Sequence, residues 1–122
     1  SVSGAQEGSL ARLRDLFAYH AQVAAAYGLD LVMYEGGSHV VAAPNLQDDT
    51  ALYDFFLALN YSPEMGRLYT GLMAEWARVS PAPFMAFSDI AAPSKWGDWG
   101  ALRHLWDDNP RWQALAKGCG AC

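Results

Sequence analysis

Residues 29–39 have the sequence LDLVMYEGGSH, in which an apolar run leads to a carboxylate and then to two glycines and a histidine. The run is rich in Leu and Val and follows Gly28, which predicts a buried strand over residues 30–34. The two glycines then favour a loop. Glu35 is therefore predicted at the carboxyl end of a parallel strand, where α/β folds bind ligands and carry out chemistry.

Two interpretations of Glu35 follow from this position. No cationic residue adjoins it in the sequence, so its carboxylate is a candidate acid, base or nucleophile. A glutamate at the end of a strand is also often a solvated loop residue or a cap for a nearby helix. The segment alone leaves both interpretations open.

The composition predicts one globular domain with a real hydrophobic core. The chain has 122 residues, of which 52% are hydrophobic and 17% charged, and this argues against disorder. The net charge is −5 and the eight basic residues are scattered, so neither nucleic acid nor an anionic membrane is predicted as a partner. No apolar run approaches the ~20 residues of a membrane span.

Several motifs that carry cofactors or catalysis are missing from the sequence. Phosphate loops of the Walker and dinucleotide types, the Gly-x-Ser-x-Gly elbow and the His-Glu-x-x-His zinc motif do not occur, so no cofactor and no metal are predicted. Cys119 and Cys122 have the spacing of a redox pair or of half a zinc site. This spacing is a weak signal at a chain end, and a local disulfide or two idle thiols is the default interpretation.

The order of predicted elements is typical of an α/β fold. The predicted elements are a helix over 10–27 capped by Ser9 and ended by Gly28, a strand over 30–34, a helix capped by Asp48 or Asp49, a helix starting at Ser62, a strand over 84–87, and short helices over 101–106 and 111–116. We therefore expect two parallel strands with about five flanking helices in a single domain, residues 1–122. Residues 1–8 are expected to form a flexible start, 9–117 the α/β segment, and 118–122 a cysteine-containing tail.

Two strands leave both edges of a sheet unpaired and cover little of three apolar helix faces. The sequence therefore predicts that further strands come from elsewhere. A homo-oligomer would supply them, and so would the remainder of a longer chain.

A second carboxylate follows the second predicted strand, at Asp89. Neighbouring parallel strands lie about 4.8 Å apart, so Glu35 and Asp89 are predicted to face one cleft. Carboxyl groups about 5 Å apart suit a retaining glycosidase, and a separation of about 6.5–9.5 Å suits an inverting one. The alternative is that Asp89 accepts hydrogen bonds from its own loop.

Three aromatic residues complete the predicted site. His39, four residues after Glu35, is a candidate to bond a substrate hydroxyl or orient a carboxylate, although a lone histidine is often only a surface residue. Trp96 and Trp99 lie in a glycine-containing loop, where indole faces bind sugar rings or fold over the core. We expect Trp96 to face a ligand and Trp99 to be buried.

Residues 34–39 (YEGGSH), 87–89 (FSD) and 94–100 (SKWGDWG) resemble the last quarter of a bacterial (β/α)8-barrel glycoside hydrolase. The helix start SPEMG at 62–66 matches the same family, and the resemblance extends over residues 10–116. The family belongs to a clan with a glutamate nucleophile on the seventh barrel strand. The resemblance thus implies a partial TIM-barrel-like segment that contains strands seven and eight.

The resemblance also implies a function: glycoside hydrolysis on a poly- or oligosaccharide, in a secreted or periplasmic protein. Glu35 would be the nucleophile and Asp89 the in-chain candidate for the second carboxylate, because the clan's acid/base glutamate lies on a fourth strand that has no counterpart here. The residues implied to contact substrate are Tyr34, His39, Lys95, Trp96 and Trp99. The alternatives are a non-catalytic carbohydrate-binding or self-associating module and an inactive fragment of a larger barrel enzyme.

Overall fold

The computed structural model of the protein describes residues 6–118 and is a mixed α/β structure with four α-helices and a two-stranded parallel sheet. A π-helical turn over Gln6–Leu10 leads into the first α-helix, and a 3-10 turn spans Pro44–Leu46. The elements are α1 (Ala11–Ala26), β1 (Met33–Gly36), α2 (Thr50–Asn60), α3 (Pro63–Val79), β2 (Phe84–Ala86) and α4 (Pro110–Gly118).

Helix α1 ends just before a glycine in the left-handed conformation, as the sequence predicts. Gly28 has a φ of 66°, a left-handed conformation that glycine adopts without a steric penalty. The N–H of Leu29 donates to the carbonyl of Ala24 at 3.0 Å. The predicted cap at Ser9 is wrong, because the π-helical turn continues directly into α1 and no side chain caps it.

The starts of α2 and α3 are capped as predicted. The carboxylate of Asp49 accepts a hydrogen bond from the N–H of Leu52 at 3.0 Å. The hydroxyl of Ser62 accepts one from the N–H of Met65 at 3.1 Å, and Pro63 occupies the first helical turn. Each cap satisfies a backbone donor that has no partner within its helix.

The two strands pair in parallel, with Met33 opposite Phe84 and Gly36 opposite Ala86. Strand β1 lies later than the predicted 30–34, because pairing starts only where the N–H of Met33 reaches the carbonyl of Pro83 at 3.2 Å. Before that point the partner segment contains Pro81, and proline has no N–H to donate to a ladder.

The predicted helix over 101–106 is wrong, so the described residues contain one flanking α-helix fewer than expected. Instead of bonding within a helix, the N–H of Ala101 donates to the carbonyl of Ser88 at 2.9 Å. The N–H of Leu102 donates to the carbonyl of Asp89 at 3.0 Å. This segment is thereby tied to the chain that leaves β2.

The buried core joins α3 to its neighbours. Trp76 is 3% exposed and packs edge-on against Phe17 of α1 and Phe84 of β2, with ring centroids 5.4 and 6.0 Å apart. A second cluster centres on Met65, Tyr69 and Ala114. On α2, Phe55 is 59% exposed and lies outside this core.

No helix within residues 6–118 is long and apolar enough to cross a membrane. Cys119 and Cys122 lie outside the described residues, as does most of the predicted flexible start.

A bidentate ion pair closes the turn before α4. Arg103 donates to the carboxylate of Asp107 from Nη2 at 2.6 Å and from Nε at 2.8 Å, and Asn109 donates to it at 3.0 Å. The pKa of Asp107 lies far below its usual range, mainly because its carboxylate accepts hydrogen bonds from Arg103. A carboxyl group whose pKa is lowered by folding stabilises the folded state at pH values above its pKa in the unfolded chain. This contribution is lost as the pH falls towards the pKa of the same group in the folded protein.

We expect Asp107→Asn to lower the free energy of unfolding by about 1 kcal/mol at pH 7, since Arg103 is partly exposed and screened by solvent. Because the unfolded pKa of an aspartate is about 3.9, the difference from the wild type should narrow below about pH 4. Urea unfolding at pH 7 and pH 3 measures both effects, with the neighbouring Asp108→Asn as control. A difference of the same size at both pH values contradicts this account.

Candidate functional site

An open pocket of about 140 Å³ lies where both strands end. One wall is residues 35–39, which are the end of β1 and the loop after it, and the other is formed by Phe87 and Trp99. The N–H of Ser88 donates to the carbonyl of Trp99 at 3.1 Å. This bond brings the loop that contains Trp96 and Trp99, here called the tryptophan loop, beside the chain that leaves β2. The peptide bond between Phe87 and Ser88 is cis.

Among the described residues that line this pocket, Glu35 is the one carboxylate, and it is exposed. No lysine or arginine is among the described residues that line it. The carboxylate therefore has access to a ligand. Tyr34 precedes Glu35, is 83% exposed, and stands outside the pocket lining.

His39 and Trp99 are joined across the pocket. The indole Nε1–H of Trp99 donates to Nδ1 of His39 at 3.4 Å, and the two ring centroids are 5.9 Å apart. Nδ1 accepts only when it carries no proton, so this bond selects the neutral imidazole with its hydrogen on Nε2. Nε2–H is the remaining donor that His39 can offer to a ligand.

Aromatic rings form the rest of the wall. Phe87 and Trp99 meet at 67° with centroids 6.3 Å apart. Trp99 is half-buried, so the prediction of a buried Trp99 describes only part of its surface. Apolar ring faces beside a carboxylate and an imidazole suit a ligand with both apolar C–H faces and hydroxyl groups.

Tyr69 of α3 supports Gly37 and Ser38, which form the floor of the pocket. The N–H of Ser38 donates to the Tyr69 hydroxyl at 2.9 Å. Gly37 has a φ of 146°, and a Cβ at this position would lie 2.8 Å from that hydroxyl oxygen. Only glycine satisfies both the backbone conformation and the close approach.

Asp89 is not in the pocket of Glu35. It lines a separate apolar cleft of about 620 Å³ between β2, α3 and α4. Its Oδ1 accepts a hydrogen bond from the N–H of Ile90 at 2.7 Å. The structure thus has the alternative arrangement, in which Asp89 bonds its own loop.

Lys95 and Trp96 lie on the tryptophan loop but outside the lining of the Glu35 pocket. Lys95 Nζ pairs with the Asp48 carboxylate at 2.6 Å and lies 4.9 Å from the Trp96 ring centroid. Trp96 is 57% exposed. Its indole is therefore in contact with solvent rather than packed in the core, and its contact with a ligand stays a prediction.

A buried polar cluster behind the pocket was missed by the sequence analysis. Asn60 donates from Nδ2 to the carboxylate of Asp98 at 3.3 Å, and burial raises the pKa of Asp98 above its ordinary value. Arg111 lies in the same cluster. One signal was present: Arg111 shares a helical face with Ala114 and Leu115, so its position in α4 is a core position.

No group of three or more potential metal ligands occurs within residues 6–118. Comparisons of the chain with protein-family models, with curated proteins and with solved structures find no match.

Proposed function

We propose that this chain supplies the nucleophile side of a retaining glycosidase site that acts on β-linked oligo- or polysaccharides. One observation carries the proposal: Glu35 lies at the carboxyl end of a parallel strand, in a pocket walled by Trp99, Phe87 and His39. This edge of a parallel sheet is where catalytic groups collect in α/β folds. The motif resemblance supports the same role for Glu35.

The chemistry needs little more than these residues on the nucleophile side. A carboxylate oxygen of Glu35 attacks the anomeric carbon, the bond from that carbon to the leaving oxygen breaks, and a glycosyl ester remains on Glu35. Nε2–H of His39 is available to a sugar hydroxyl, and the ring of Trp99 to the C–H face of the sugar. Water then hydrolyses the ester.

The acid/base carboxylate of such a mechanism is the missing part, because Glu35 is the one carboxylate of its pocket among the described residues. We propose that the two strands correspond to strands seven and eight of a (β/α)8 barrel, and that the second carboxylate comes from chain outside this segment. The two unpaired sheet edges favour this proposal. A secreted or periplasmic location is also part of this proposal, and only the resemblance supports it.

Aryl glycosides with a very good leaving group test the nucleophile without the missing acid. Dinitrophenolate needs no proton to leave, so glycosylation of Glu35 can proceed while the next step is slow. We expect a burst of dinitrophenolate of up to one equivalent per chain with at least one member of a panel of 2,4-dinitrophenyl β-glucoside, β-galactoside, β-mannoside and β-xyloside. Release at the spontaneous rate with all four contradicts a nucleophilic role.

A non-catalytic carbohydrate-binding function is the second candidate. It is favoured by two observations: Glu35 is the one carboxylate among the described residues that line its pocket, and Asp89 lies in a different cleft. Such a module binds glycans but gives no burst. Isothermal titration with β-linked oligosaccharides, run beside the aryl glycoside assay, separates the two functions.

Trp96 is expected to contribute to glycan binding under either function. Its indole is largely exposed and steadied by Lys95, so Trp96→Ala should weaken glycan binding by about 1–3 kcal/mol while the fold is kept. Titration calorimetry and thermal unfolding measure the two effects. The control is Trp106→Ala, which removes an indole that is 87% exposed on the turn before α4. Unchanged glycan affinity with a lower melting temperature would assign Trp96 to the core.

We further propose that the sheet is extended in the functional assembly, by copies of this chain or by the remainder of a longer one. The apolar cleft beside β2 and the exposed side chains Tyr27, Leu29 and Val32 before β1 support this, because each leaves apolar surface in water. If copies of this chain extend the sheet, light scattering at low micromolar concentration gives a mass above that of the 13.3 kDa chain. A monodisperse monomer that unfolds cooperatively contradicts self-association.

A further inference from the structure

Arg111, in the first turn of α4, is fully buried although it carries a charge. No carboxylate oxygen within the described part of the chain forms an ion pair with it. Its Nη1 donates to the carbonyl of Asp98 at 2.8 Å and contacts the hydroxyl of Ser38 at 3.4 Å. Its Nη2 donates to the carbonyl of Gly100. One side chain therefore bonds two separate segments.

The planar guanidinium is held in this orientation by aromatic rings. Its central carbon lies 4.4 Å from the ring centroid of Tyr61 and 5.9 Å from that of Tyr69. The hydroxyl of Tyr61 donates to the same Gly100 carbonyl at 3.2 Å. Stacking fixes the plane of the fork, and the fork fixes the carbonyls.

The two bonded segments are the two walls of the Glu35 pocket. Ser38 lies between Glu35 and His39, and the carbonyls of Asp98 and Gly100 flank Trp99. We propose that Arg111 is a positioning residue that sets the His39–Trp99 wall against Glu35. This inference rests on the proposed function for its catalytic consequence, but its geometric part can be measured without any ligand.

Burial removes the hydration of the guanidinium and so lowers the stability of the fold, unless the hydrogen bonds of the group compensate for it. An aliphatic side chain would fill the same space without that cost. Lysine would keep the charge, but a single ammonium cannot reproduce a planar fork that is stacked on a ring. The arginine is thus explained by the geometry it imposes on the two loops.

The test uses Arg111→Lys, with the exposed Arg67→Lys on α3 as the matched control. The first readout is the indole N–H resonance of Trp99, assigned with Trp99→Phe. Because the N–H of Trp99 donates to His39, the substitution His39→Phe should shift this resonance in an otherwise wild-type chain. We expect Arg111→Lys to reduce that shift by at least half, while Arg67→Lys leaves it unchanged.

The second readout is the burst rate with the dinitrophenyl glycoside, which should fall by about 10- to 100-fold in Arg111→Lys, the scale expected for a misplaced catalytic group. If Arg111→Lys does not fold, Ser38→Ala removes one acceptor and should reduce the Trp99 shift in the same direction. A folded variant in which His39→Phe shifts the Trp99 resonance as far as it does in the wild type overturns the positioning role. If the wild type gives no burst, the proposed function fails, and the Trp99 resonance still decides the role of Arg111.

Discussion

Glu35→Gln is expected to lower the rate of dinitrophenolate release from the responsive aryl glycoside by about 10³-fold or more. The amide keeps the shape of the side chain but lacks the negative charge that attacks the anomeric carbon. The side chain is exposed in an open pocket, so the substitution should leave the free energy of unfolding within about 0.5 kcal/mol of the wild type. Stopped-flow absorbance measures the release.

The matched control for this loss is Glu64→Gln, the same chemical change in the first turn of α3, where Glu64 pairs with Arg67. We expect the control to keep the full burst. An equal burst in Glu35→Gln would remove Glu35 from the mechanism. An equal loss in both variants would point to a general effect of charge rather than to a nucleophile.

Trp76→Ala is expected to lower the free energy of unfolding by about 3–5 kcal/mol, the scale found for large aromatic side chains removed from cores. Trp76 is 3% exposed and packs between Phe17 and Phe84, and its Nε1–H donates to the carbonyl of Ala82 at 2.9 Å. The variant thus loses contacts with α1, with β2 and with the loop that precedes β2. Such a loss is a large part of the roughly 5–15 kcal/mol that stabilises an ordinary domain.

Urea unfolding monitored by circular dichroism measures this loss. The control is Trp96→Ala, which removes an indole that is 57% exposed and should change stability by less than about 1 kcal/mol. Similar destabilisation in the two variants would show that Trp76 is not the residue that joins these elements.

The local features of the fold could be predicted from the sequence because their signals are local. Ser62 with Pro63 marks a helix start, Asp49 caps the preceding helix, and Gly28 ends the first one. Each depends on residues within one turn of the helix. The parallel pairing of two strands follows from the alternation of helices and strands.

The register of the sheet and the position of Asp89 could not be predicted in this way. Strand β1 starts at Met33 because of prolines about 50 residues later, and the apolar pattern of its own residues does not contain that information. Asp89 lies near the carboxyl end of a strand as Glu35 does, but it lines another cleft. A strand end fixes which edge of the sheet a residue occupies and not which pocket its side chain enters.

The buried cluster behind the pocket shows the same limit. Arg111 lies 73 positions after Ser38 in the sequence, and Asn60 lies 38 positions before Asp98, yet each pair is in contact. Nothing in the spacing of these residues indicates that they meet. Only its position on the same helical face as Ala114 and Leu115 indicates that Arg111 is buried.

The central claim is that the Glu35 carboxylate forms a bond to the sugar. It is tested most directly by incubating the chain with the 2-deoxy-2-fluoro form of the responsive dinitrophenyl glycoside, which slows hydrolysis of the ester, and then mapping the modified peptide by mass spectrometry. The account predicts one fluoroglycosyl group per chain, attached at Glu35 and absent from Glu35→Gln. A group attached to another residue, or a wild-type chain that remains unmodified while the burst substrate is consumed, would contradict it.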